Sequence, residues 1–161
     1  MEYISNSELI DRIYDSAGDH LRNTVTDWSN YMLWRSAVKE LNNVQQTVYL
    51  IGVLNQQVMN GGLCQYFDNS YGIFGYETLK SLREVGANQF TQILEQALKI
   101  VNPQNLSELE FSRFIAENVI DDEDMEDKLD ELDDQYYELE GDEDLEVLLA
   151  TWIKTHPKPI T

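Results

Sequence analysis

The chain has 161 residues, 42% of them hydrophobic, with three Trp, nine Tyr and five Phe, enough to close one sizeable core and to exclude a disordered acidic coil. Its formal net charge of −19, from 30 acids against 11 bases, excludes direct binding to nucleic acid and disfavours an anionic membrane, so its partners should be basic. A single cysteine, Cys64, excludes an intrachain disulfide, a thiolate zinc cluster and a CxxC redox pair.

The acidic start, MEYISNSELIDRIYD, lacks the cationic and apolar parts of a secretory leader, and no apolar run is long enough for a bilayer, so a cytoplasmic location is expected. Ser5 with Glu8 three residues on is a capping-box signature, and Leu9, Ile10, Ile13, Tyr14 and Ala17 share the face of a first helix that Gly18 should stop. Its opposite face carries Glu8, Asp11, Asp15 and Asp19, a short acidic row. Trp28, Tyr31, Trp34 and Val38 predict a helix over 27–39. Val44, Thr47, Val48, Ile51, Leu54 and Val58 continue with helical period to Asn60, although the β-branched stretch 47–54 leaves a short strand as the alternative. Length favours the helix. Further segments should run from Tyr76 to Val85, ending at Gly86, and from Phe90 to Val101, ending before Pro103. Ser107 with Glu110 should cap another, carrying Phe111, Phe114, Ile115 and Val119.

The acidity is concentrated late in the chain. Residues 121–146 hold 16 acids and one base, Lys128, a net of −15, while the other 135 residues hold 14 acids and 10 bases. Such a block is usually a solvated tail. Here Met125, Leu129, Leu132, Tyr136 and Leu139 recur at alternating spacings of four and three, the stripe of a helix docked along one seam from Asp121 to Leu139. Gly141 should end it, and Asp142 should cap a last segment carrying Leu145, Leu148, Leu149 and Trp152. Only 157–161 reads as a short loose end. These elements predict an all-α fold, a single compact multi-helix domain over 1–161 with an acidic C-terminal helix.

Chemistry is hard to assemble from this sequence. His20 and His156 lie far apart, and no GxSxG elbow, HExxH pair, P-loop or GxGxxG turn accompanies them. Cys64, flanked by apolar residues, reads as packed core. An EF-hand needs glycine at the sixth position of its loop, and the only glycine of the acidic segment, Gly141, follows Tyr136 by five residues where an acid is required. A non-enzymatic protein without cofactor or metal is expected.

The run Asn60-Gly61-Gly62-Leu63-Cys64-Gln65-Tyr66-Phe67-Asp68-Asn69-Ser70 resembles the central motif of a bacterial family whose characterised members are acidic DNA-mimic proteins, in which NGG is followed by an aromatic QYF and then NS. Weaker likeness continues through Tyr76-Glu77-Thr78-Leu79, Gly86-Ala87 and the later Leu-Asp and Tyr136-Tyr137 elements, covering roughly 44–152. Read physically, the motif is scaffold: Gly61 or Gly62 can take the left-handed conformation that ends a helix, and Tyr66 and Phe67 can fill the core just after it. The resemblance implies a homodimer that engages a DNA-binding protein, a dimeric helix-turn-helix transcription factor, and blocks its access to DNA.

Were 121–146 helical throughout, it would span about 39 Å with a net charge every ~2.6 Å, against one per ~1.7 Å of duplex DNA. On a heptad wheel Glu123, Asp124, Asp127, Asp130, Glu131, Asp134 and Glu138 point away from the apolar seam. They are the expected partner contacts, with Asp11, Asp15 and Asp19 as a second row. Two other readings compete. One is a solubilising acidic face; the other is an acidic scaffold or adaptor that binds by helix packing, its charge only steering the approach.

Overall fold

The computed structural model describes residues 3–156; the expected loose end at 157–161 lies outside them. Eight α-helices follow one another without a strand among the described residues: α1 (Asn6–Thr24), α2 (Tyr31–Glu40), α3 (Asn43–Asp68), α4 (Gly75–Glu84), α5 (Asn88–Val101), α6 (Glu108–Glu117), α7 (Glu123–Glu138) and α8 (Leu145–Thr155). The acidic helix is therefore α7, and α8 closes the fold behind it. No helix among the described residues is long and apolar enough to cross a membrane.

α3 is the axis. It opens with a reciprocal capping box: Asn42 accepts from the Gln45 amide at 2.8 Å, and the Gln45 side chain accepts from the Asn42 amide at 3.2 Å. Val48, Leu50, Ile51, Val53, Leu54 and Val58 are all buried, so the helix is apolar on several sides, as a helix enclosed by others must be. α1, α4 and α7 pack against it. That enclosure settles the ambiguity over 47–54 in favour of helix, since β-branched side chains give up only a little propensity where tertiary burial is large.

Besides α3, which runs past Asn60 to Asp68, four boundaries depart from expectation. α1 runs through Gly18 to Thr24 because Leu21, one turn past Ala17, is as deeply buried as Ala17 itself, and burying it outweighs the roughly 1 kcal/mol a mid-helix glycine costs. α2 starts only at Tyr31, capped by Asn30, whose side chain accepts from the Met32 and Leu33 amides; Trp28 stays in the preceding turn, half exposed, its ring edge-on to Trp34. α6 ends at Glu117, leaving Val119 beyond it and exposed, while Phe114 is also exposed. α8 is capped by Asp144, which accepts from the Val147 amide at 3.1 Å, and not by Asp142.

One buried cation ties the bundle together. Arg35 of α2 donates to the Ile73 carbonyl at 2.7 Å, to Ser112 Oγ of α6 at 2.8 Å and to Glu77 Oε1 of α4 at 2.6 Å. Its charge is thus matched and both of its terminal nitrogens donate, as burying a guanidinium requires.

α7 is ordered by its apolar seam: Leu129, Leu132 and Tyr136 are buried against the core. Hydrogen exchange should show amides of 125–136 protected together with those of α3. A Leu132→Asp variant, which places an unpaired charge in that seam, should expose α7 to exchange. Random-coil exchange rates across α7 in the native protein would contradict this packing.

Candidate functional site

α7 is well capped at its start but charged against itself further along. Asp122 caps it, accepting from the Met125 amide at 3.1 Å, and Glu123, Asp124 and Glu126 suit the positive end of its dipole. Beyond the first turn the like-charged pairs Asp127–Glu131, Asp130–Asp134 and Asp134–Glu138 oppose the helix, each by a few tenths of a kcal/mol. Tertiary contacts therefore hold it. Tyr136 Oη donates to Asn55 Oδ1 and Tyr137 Oη to the Val58 carbonyl, both at 2.8 Å and both on α3.

The deepest of these contacts joins α7 to the glycine motif. At Gly61–Gly62 the path of α3 breaks: Gly62 adopts φ 83°, ψ −179°, a region essentially closed to side-chain-bearing residues. The helix restarts at Leu63, whose amide donates to Asp133 Oδ1 at 2.8 Å. Asp133 thus caps the second half of α3 from across the fold, and Tyr66 and Phe67 turn into the core just after it. The left-handed glycine expected at the end of a helix is Gly62, though the chain resumes helix on its far side.

Burial pushes the Asp133 carboxyl up to about 6; the Leu63 amide pulls it down, and Asp130 and Asp134 push it further up. Between the ordinary aspartate range, near 3.8, and pH 6 the folded state therefore holds a proton that the unfolded chain releases. Stability from this group is fully present below that range and is lost as pH rises through about 6. Melting temperature should fall from pH 4 to pH 7. Asp133→Asn, which keeps an acceptor for Leu63 and carries no charge, should flatten that fall, and a variant as steep as the native protein would refute the assignment.

The seven outward acids of the sequence reading, Glu123, Asp124, Asp127, Asp130, Glu131, Asp134 and Glu138, are all exposed. Asp124 forms an ion pair with Lys128 at 3.0 Å. Glu126 is exposed as well; its place beside the seam hid it, since the equivalent position one heptad later is the buried Asp133. Asp11, Asp15 and Asp19 are exposed on α1, with Asp19 paired to Arg22. α1 and α7 both pack on α3, so the two rows lie on different helices carried by the same axis.

The acidic segment is not helical throughout, because 3₁₀ and irregular backbone at 139–144 separates α7 from α8. Nor do all its 16 acids stand free of the fold's own hydrogen bonds. Asp122 and Asp144 cap their own helices, Asp133 caps Leu63, and Glu143 accepts from the Gln89 and Phe90 amides at 3.0 and 3.1 Å, capping α5 where Ala87 offers no side chain. On α7 the eight exposed acids less Lys128 leave seven net charges over about 24 Å of helix, one every ~3.4 Å. That is the spacing of phosphates along one DNA strand, also ~3.4 Å, and half the density of the duplex.

Cys64 is partly buried, and desolvation first, then the charges of Asp130 and Asp133, raises its thiol to about 11. A thiol held neutral this way is a poor nucleophile.

Neither a curated protein nor a solved structure matches the chain. A family model does, described as DMP19-like protein and aligned over residues 39–156, a span that takes in the broken helix α3, its cap Asp133 and the whole of α7. With most of its length matched, the chain belongs to the DMP19-like protein family, consistent with the DNA-mimic kind to which its glycine motif pointed.

Proposed function

We propose that this protein is a non-enzymatic DNA mimic: the exposed acids of α7 occupy the basic surface of a DNA-binding protein and keep DNA from it. The observation that carries this reading is the one-sided order of α7, an acidic helix fixed by Leu129, Leu132, Asp133 and Tyr136 with its remaining carboxylates outward. Fixed charges need no reordering on binding, and a surface that grips phosphates through Lys, Arg and helix N-termini accepts carboxylates at similar spacing. The partner we favour is a dimeric helix-turn-helix transcription factor in the cytoplasm, and the protein itself acts as a homodimer. A second subunit would supply a second row, and two rows at ~3.4 Å per charge equal the duplex density of one per ~1.7 Å.

Protein captured from lysate at low salt should be released by duplex DNA as well as by salt. Release by salt with indifference to DNA would favour an adaptor that binds by packing, with charge acting only on the approach.

A further inference from the structure

Where α6 ends and α7 begins, the surface opens into an apolar cleft of about 330 Å³. Phe67, Leu106, Ile115 and Met125 line its walls. Phe114 and Val119 stand at its edge, 44% and 66% exposed, and so extend its apolar wall to the surface. Asp68, Asp121 and Asp122 also line it, and the acidic row of α7 starts there.

Resting on the mimic reading, we infer that this cleft is a docking site for one large apolar side chain, leucine or its like, projecting from a basic helix of the DNA-binding partner. Charge complementarity selects the occupant. A side chain that enters past three carboxylates, Asp68, Asp121 and Asp122, is best flanked by Lys or Arg. Carboxylates alone reproduce only the phosphate part of DNA and carry no identity. An apolar anchor at one end of the row fixes the register of the partner along α7, and it distinguishes that partner from any other basic surface.

The test uses two synthetic amphipathic helical peptides, identical in Lys and Arg, carrying leucine or alanine at one central position. Fluorescence anisotropy at low salt should show the native protein binding the leucine peptide about tenfold more tightly. Phe114→Ser with Val119→Ser, both at exposed positions, should bind both peptides like the alanine form. Asp127→Lys with Asp130→Lys and Asp134→Lys should weaken both peptides and keep the leucine preference; if it leaves both affinities unchanged, the mimic reading fails while the preference still reports on the cleft. Equal native affinity for the two peptides would overturn the docking site. So would conversion of a native dimer to monomer by the double serine variant in sedimentation, which would assign the cleft to a second copy.

Discussion

Gly62→Ala is expected to lower the melting temperature by roughly 5–10 °C. The native φ of 83° and ψ of −179° cost a side-chain-bearing residue on the order of 1–3 kcal/mol. A methyl group at Gly62 would also run into the Asp133 carboxylate, so the acceptor of the Leu63 amide must move, at a further cost of about 1 kcal/mol. For a chain of this length each kcal/mol shifts the midpoint by about 2–4 °C. Gly141→Ala is the control, with nothing within 4 Å of the added carbon and no positive φ, and should melt with the native protein. Because Gly62 and Asp133 are coupled, their effects should not add: Gly62→Ala on an Asp133→Ala background should cost less than on the native one.

Charge reversal at Asp127, Asp130 and Asp134 should weaken partner binding on the order of a hundredfold at low salt and less at high salt, because each lost exposed contact is worth up to about fivefold and screening reduces all three. The fold should survive. These side chains are exposed, and although 130 and 134 stay like-charged, lysines there convert the pairs with Glu123, Glu126, Glu131 and Glu138 into opposite-charged ones. Circular dichroism and the melting midpoint should therefore match or exceed those of the native protein.

Much of this was legible in the sequence for physical reasons, and the rest was not. The seam from Met125 to Leu139 was readable because helical period and burial report the same thing, and so were the caps at Ser5 and Ser107, whose partners lie three residues away. Contacts across the fold left no local trace. Asp133 meets Leu63 over 70 residues and Arg35 meets Ser112 over 77, and nothing nearby in sequence marks either pair. Asp133 and Glu143 were counted among the acids of a charge block, where composition cannot separate a buried cap from a solvated carboxylate. Gly18 misled for the opposite reason: a local stop signal was overridden by the burial of Leu21. Of Gly61 and Gly62 it is Gly62 that takes the positive φ, and neither that choice nor the helix resuming beyond it is visible without the Asp133 carboxylate that caps Leu63.

The most direct measurement is displacement of a helix-turn-helix regulator, recovered from lysate at low salt, from labelled operator DNA as this protein is titrated in. The native protein should release the operator in a concentration-dependent manner that weakens with salt, and the Asp127→Lys, Asp130→Lys, Asp134→Lys variant, folded as judged by its melting midpoint, should require on the order of a hundredfold more protein for the same release. Equal displacement by the variant, or stable co-occupancy of regulator, operator and this protein in one complex, would contradict DNA mimicry.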